Sequence, residues 1–334
     1  MEPSGTAEPA PTPGPPIVIE RKLRAGCLRR MVWPLLLLSV FLNIALFPQD
    51  HSLTPTKLDE RYVAGRPLEQ KKIAVVEVSG VIMDGEVEHV LRQIRQARED
   101  HQVKAVVLRV DSPGGTVSGS DRIWRELATL KADTDSRPVV VSMGGMAASG
   151  GYYVSAPADH IFAEPTTWTG SIGVIMQLPQ LDKLMEKLQV GVATIAKPND
   201  DWKASGSPFR PLSDRERTRW EEVIDDAYQR FVKVVAQGRK LPMKEALAAA
   251  NGKVYTAREA LKLKLIDEIG YIDDAIKQAM RLANVESARV IRYAQPISLF
   301  SMLSMEARQE KPAIKVDADS ILRMQTPHML YLAR

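Results

Sequence analysis

Two apolar runs, each followed by a glycine-rich stretch, restrict this chain more than any other feature. Ala105-Val106-Val107-Leu108-Arg109-Val110 is nearly apolar throughout, as a strand is when helices cover both faces of its sheet. It opens into Asp111-Ser112-Pro113-Gly114-Gly115-Thr116, after which Ile123, Leu127 and Leu130 recur at helical spacing. Val139-Val140-Val141 repeats the pattern and, past Ser142, feeds Met143-Gly144-Gly145-Met146-Ala147-Ala148-Ser149-Gly150-Gly151-Tyr152-Tyr153. Upstream, Lys72–Val78 reads as a strand, and Val87, Val90, Leu91 and Ile94 mark the helix after it. Strands that alternate with helices predict an α/β domain with a largely parallel sheet.

Further along, short strands are expected over His160–Glu164 and around Ser171–Ile175, a short helix over Leu181–Leu188, and a strand over Val192–Ala196. A polar loop from Lys197 to Pro211 leads into a long helix. Ser213 and Glu216 form its capping box, and Trp220, Val223, Ile224, Ala227 and Phe231 form its apolar face. Thr256 and Glu259 repeat the capping signature, and Asp273 or Asp274 opens a last amphipathic helix. Beyond about residue 285 the periodicity fades, so residues 285–334 read as a tail.

Charge and composition narrow the function. Half of the net charge of +4 lies at the start of the chain: residues 1–30 carry five basic and three acidic side chains, leaving 40 basic and 38 acidic over the rest. A body so nearly neutral lacks the clustered positive charge of a nucleic-acid surface. One cysteine, Cys27, excludes an intramolecular disulfide framework, and the five histidines show no metal-ligand spacing. No metal and no cofactor are expected. Residues 1–16 hold six of the 22 prolines, so residues 1–30 read as a disordered tail with a basic end. Met31–Pro48 contains no charge over 18 residues. As a helix that run would be roughly 27 Å long, close to the ~30 Å of a bilayer core. It is expected to be a transmembrane signal anchor, with Trp33 at the interface. The basic flank puts the N-terminus in the cytoplasm and the body on the outer side of a bacterial-type membrane. Residues 49–70 would then be a linker and 71–284 the folded domain.

Ser149 is the one hydroxyl in a run of small residues between a strand and a helix, the setting in which several unrelated hydrolases expose a nucleophile. An attack on a carbonyl needs backbone N–H groups aimed at the oxyanion. Gly150 follows the serine, and Gly114 or Gly115 ends the neighbouring strand. A packing turn explains the same glycines without chemistry. Serine also needs a base. His160, at the start of a strand, reads as a half-buried structural histidine. Lys197 and Lys203 are candidates, since a lysine serves when its environment keeps it neutral.

These stretches resemble the signal peptide peptidase A family, Ser-Lys serine proteases of the Clp/crotonase fold. Met143–Tyr153 is similar to the family's nucleophile motif and Asp111–Gly115 to its oxyanion segment. Thr169-Gly170-Ser171-Ile172-Gly173-Val174 and Gly206-Ser207-Pro208-Phe209-Arg210-Pro211 match two further motifs in family order. The resemblance covers roughly residues 70–280, in the family's short, single-repeat form. It implies a spiral of β-β-α units with peripheral helices, preceded by the transmembrane helix. It also implies Ser149 as nucleophile, Lys197 as general base with Lys203 as runner-up, and Ser171 orienting the lysine. Pro198-Asn199 departs from the family's pattern after the lysine. Expected partners are remnant signal peptides or other apolar segments, membrane lipid around the N-terminal helix, and copies of the chain in a homo-oligomeric ring. Two other readings are a crotonase-like acyl-CoA enzyme and a non-catalytic membrane scaffold.

Overall fold

The computed structural model describes residues 25–46, 57–133, 135–195, 197, 201–295 and 329–332. The chain divides into two units, Met1–Pro55 and Thr56–Arg334. In the first, α1 spans Ala25–Leu46 with Pro34 inside it. Its side chains from Val32 to Leu42 are all exposed. Among the described residues no helix is long and apolar enough to cross a membrane, and the expected span to Pro48 runs past the described end of α1.

The second unit contains β1 (Asp59–Gly65), β2 (Lys72–Ile82), α2 (Asp84–Glu99), β3 (Val103–Thr116), α3 (Val117–Ala132), β4 (Val139–Ala148), α4 (Gly150–Ser155), β5 (His160–Ala163), β6 (Trp168–Gly170) and β7 (Ile175–Met176). After these come α5 (Asp182–Lys187), a 3-10 turn (Asp201–Ala204), α6 (Asp214–Gly238), α7 (Met243–Ala249), β8 (Val254–Thr256), α8 (Ala257–Lys262), β9 (Glu268–Ile269), α9 (Ile272–Leu282), β10 (Arg289–Ala294) and β11 (Met329–Leu332). The strands form one sheet with the main order β1-β10-β2-β3-β4-β5-β9, parallel except for the antiparallel edge β1.

Side-chain alternation assigns the two faces of this sheet. Ile73, Val75, Ala105, Val107, Val140 and Phe162 pack beneath Ala275, Ile276 and Ala279 of α9. Their neighbours Ala74, Val76, Val106, Leu108, Val110 and Val141 face the larger core, with Val87, Leu91 and Ile94 of α2 and Ile123 and Leu127 of α3. Both faces are covered, so the strands read as continuous apolar runs. Ser213 caps α6 as expected, accepting from Glu216 N–H while the Glu216 carboxylate accepts from Ser213 N–H at 3.0 Å. The box at Thr256 and Glu259 is likewise formed. On α6, Ala227 and Phe231 are buried, whereas Trp220, Val223 and Ile224 are only half-buried.

Several expectations need correction. Residues 59–65 are not linker but edge strand β1, paired with β10 with a register shift between Tyr62 and Ala64. The tail is not wholly outside the fold: Arg289–Ala294 inserts between β1 and β2, and Met329–Leu332 adds a strand against β3 and β7. The strand expected over Val192–Ala196 does not form in residues 192–195, and Ala196 lies outside the described residues. Val192 and Ile195 are exposed there and, among the described residues, pair with no strand, and β-branched composition alone cannot make a strand. The stretch Ser171–Ile175 is also not one strand; β6 ends at Gly170 and β7 begins at Ile175.

Candidate active site

Parallel register brings three glycine- and serine-bearing segments to the carboxyl ends of neighbouring strands, where α/β sheets bind ligands. Ser112 on β3 pairs with Ala147 on β4. Ala148, the last residue of β4, pairs with Gly170, the last residue of β6. Ser149 and Ser171 therefore leave adjacent strands at the same level. Both turn with positive φ, 53° at Ser149 and 48° at Ser171. These values are uncommon for residues with a Cβ and indicate a local constraint. Ser149 N–H donates to Gly170 C=O at 2.7 Å, and Ser171 N–H to Lys253 C=O at 2.7 Å, which hold the two turns in place.

Ser149 stands at the start of α4 and is fully buried. Its Oγ has no hydrogen-bond partner among the described residues. A buried hydroxyl left unpaired costs about 1–3 kcal/mol, so a purely structural serine here would be poorly placed.

The glycines around it fit because nothing larger would. A Cβ on Gly150 would stand 2.5 Å from Ser120 Oγ and 3.1 Å from Gly115 N. One on Gly115 would strike Ile82 C=O at 2.1 Å. Gly114 has φ +107°. Its N–H is already donated to Ser112 Oγ at 3.1 Å, while that hydroxyl donates to Gly80 C=O at 2.6 Å. Of the two glycines expected on this strand, Gly115 is therefore the one whose N–H is not taken by Ser112. Asp111 Oδ1 accepts from Met146 N–H at 3.0 Å, tying the end of β3 to the glycine-rich end of β4.

Aromatic rings back the serine. Tyr153, one turn on, is buried; its hydroxyl donates to Asp121 at 2.7 Å, and the Arg230 guanidinium ion-pairs with the same carboxylate. Burial first, then the hydrogen bond to Asp121 and its charge, push the Tyr153 phenol far above its ordinary range, so it stays protonated. His160 is not near the serine. It pairs beside Val140, nine residues before Ser149 and at the opposite end of β4. There it packs on Phe162 and lies 3.6 Å from a Glu268 oxygen.

Lys197 and Lys203 are both exposed, and neither makes a hydrogen bond to the Ser149 hydroxyl. The segment after them is firmly clamped, a feature the sequence signalled only through the capping box. Arg210 reaches Ala204 C=O at 2.7 Å and both oxygens of Glu216, and Arg215 lies over the Trp202 ring at 4.7 Å. Arg210 lowers the Glu216 carboxyl to about 2. Among the described residues no set of three His, Cys, Asp or Glu side chains could hold a metal ion.

A parallel-rich sheet with a constrained serine at a strand end, backed by glycines on the next strand, is a Clp-protease type of arrangement, and a Clp protease model matches residues 64–167. A second model, peptidase family S49, matches residues 131–286. "Putative signal peptide peptidase SppA" of Enterococcus faecium is 37% identical over 242 residues, covering 69% of each chain. Protease 4 of Haemophilus influenzae is 39% identical over 223 residues, 64% of this chain, and Protease 4 of Salmonella typhi 38% over 241, 69% of this chain. The chain belongs to peptidase family S49. Its matches span 35% and 38% of the two Protease 4 chains, and 61% of a Methanocaldococcus jannaschii relative that is 42% identical over 195 residues and covers 58% of this chain.

Proposed function

We propose that this chain is a membrane-anchored serine endopeptidase working through a Ser149–Lys197 dyad. The observation that carries the reading is the Ser149 hydroxyl: buried, unpartnered and held at positive φ at a strand end. A strained, unsatisfied group at such a place fits a reactive role better than a packing role. Neutral Lys197 takes the Ser149 proton as Oγ attacks the peptide carbonyl. The oxyanion is held by the N–H groups of Gly150 and Gly115, with Gly114 leaving room for the substrate backbone. Collapse expels the amine, which takes its proton from Lys197. Water then attacks the acyl-enzyme with the lysine again as base. Ser171, level with Ser149, orients the lysine, and Lys203 is the alternative base.

A lysine exposed in one chain cannot be kept neutral by burial. The base is therefore completed by packing of copies into a ring, in which Lys197 of one copy is buried against the serine of the next. Substrates are remnant signal peptides or other apolar segments. The uncharged Met31–Pro48 run anchors the protein, with the body on the non-cytoplasmic side.

The test is labelling by a serine-directed fluorophosphonate. Wild type is expected to label and Ser149→Ala not to. Labelling that survives Ser149→Ala would overturn the nucleophile assignment, and an unlabelled wild type would favour an acyl-CoA enzyme or a scaffold.

A further inference from the structure

Surface loops are as a rule more mobile than the elements they connect, yet the turn that carries Lys203 is tied down at several points. Its own closure comes first: Ser205 N–H donates to Trp202 C=O at 3.0 Å, and Ser207 N–H to Ala204 C=O at 3.2 Å. The start of α6 then grips it. Arg215 lies over the Trp202 ring at 4.7 Å, and Trp220 Nε1–H donates to Ser205 Oγ at 3.0 Å. Arg210 donates to Ala204 C=O at 2.7 Å. From another side, Leu181 N–H, just before α5, donates to Pro208 C=O at 2.6 Å. The residues on either side of Lys203 are thus both held, while the lysine itself stays exposed. Lys197 stands five residues before Trp202 in the same segment.

One ion pair joins this grip to the body. The buried Glu216 carboxylate accepts from two Arg210 nitrogens at 2.9 and 2.5 Å, and from Ser213 N–H and Oγ–H at 3.0 and 2.8 Å. A bidentate arginine–carboxylate contact fixes the orientation of both groups as well as their separation. Arg210 Nη2 serves Glu216 and Ala204 C=O together, so the place of the turn follows the place of α6. Phe231 and Val235 of α6 are in turn part of the core. Capping α6 would need only Ser213 and Glu216, which already complete the box. What Arg210 adds, apart from a bond to its neighbour Pro211, is the link to the backbone beside a lysine.

We infer that Arg210 and Glu216 are positioning residues for the general base: they fix the Trp202–Ser205 turn on α6, so that the lysine segment meets Ser149 at one place and angle. A base must come within a hydrogen bond of the proton it takes, and a misplacement of about 1 Å can cost about a hundredfold. This rests on the serine-peptidase reading, and the experiment separates the two. Turnover of an activated ester, which leaves a measurable rate even without the base, is followed in wild type, Glu216→Gln and Arg210→Lys. In both variants kcat should fall by about tenfold to a hundredfold while KM changes less than about twofold. Glu216→Gln is then combined with Lys197→Ala and, separately, with Lys203→Ala. In the background that has lost the base it should have no further effect, and in the other its full loss should remain. Arg239→Gln opens the ion pair to Asp267 at the opposite end of α6; it controls for lost stability and should keep kcat.

Unchanged kcat in both variants would overturn the inference. So would a full loss in both lysine backgrounds, because the pair would then act on the fold and not on the base. If Glu216→Gln does not fold, Trp220→Phe decides by the same cycle, since it removes only the Ser205 hydrogen bond. Amide exchange over residues 201–208 in the Ser149→Ala chain needs no reactive serine. Adding Glu216→Gln there should speed exchange about tenfold, and unchanged exchange would refute the grip. Faster exchange with no chain turning over ester would leave the grip standing and sink the peptidase reading.

Discussion

Replacing Ser149 by alanine and by glycine should destroy the proposed reaction and stabilise the protein. Alanine removes a fully buried hydroxyl with no partner among the described residues, a relief of about 1–3 kcal/mol, and gives back only a little dispersion energy. The backbone at φ 53° and ψ −114° stays constrained in the alanine variant. Glycine also releases that constraint, about 1–2 kcal/mol, against about 0.5–1 kcal/mol of extra freedom in the unfolded chain. The expected order of stability is glycine at or above alanine, and both above wild type. For a domain of this size each kcal/mol moves Tm by roughly 2–4 °C, so the alanine variant should melt several degrees higher. Urea unfolding, at one fixed protein concentration because assembly shifts apparent stability, supplies the free energies. An alanine variant about 1 kcal/mol less stable than wild type would show that the hydroxyl is satisfied and refute the reasoning. A glycine variant well below alanine would show that the turn is unstrained.

Three further outcomes are expected. Lys197→Ala should abolish hydrolysis of an apolar peptide while Lys203→Ala retains it; the reverse pattern would move the base to Lys203. The Glu216 carboxyl is lowered to about 2 by Arg210, so its stabilisation is complete above the unfolded value near 4.5 and is lost as pH falls through about 2. Glu216→Gln should therefore cost about 1–3 kcal/mol at pH 7, allowing for the partial exposure of Arg210, with the gap to wild type closing in urea melts as pH falls toward 2. Gly170→Ala would set a Cβ 2.4 Å from the Tyr255 ring at φ +79°; it should cost about 2 kcal/mol or more and slow fluorophosphonate labelling, since Gly170 C=O holds the Ser149 amide.

The strand starts at Lys72, Val139 and His160, both capping boxes and the strand-to-helix turn at Ser149 were legible in the sequence because each depends on local chemistry. The apolar, β-branched content of Ile73–Val78 and the pairing of Ser213 with Glu216 need no knowledge of the rest of the chain. What was not legible depends on distant partners. Gly114-Gly115 and Gly144-Gly145 look like turns, yet β3 and β4 continue through them because neighbouring strands supply the hydrogen bonds. Asp59–Gly65 looks like linker because it lies in a polar, turn-rich stretch; only β10, more than two hundred residues later, makes it a strand. The strand Met329–Leu332 lay in a stretch with no periodicity, and four residues are too few to show one. The unpaired state of the Ser149 hydroxyl is a three-dimensional fact with no sequence signal at all.

The position of β10 between β1 and β2 also constrains how the protein can be made. A nascent chain displays the edge of β2, and all of β1, long before Arg289–Ala294 leaves the ribosome. At about 5–20 residues per second that interval lasts on the order of 10–40 s. Throughout it, one side of the sheet is an open template for foreign strands. Lys72 and Glu77 sit on the waiting edge and Asp59, Glu60 and Arg61 on the strand beyond it, and such charges discourage intermolecular pairing. Synthesis that pauses before residue 289 should aggregate more readily than synthesis that pauses after 295, a vulnerability written into the strand order rather than into any single residue.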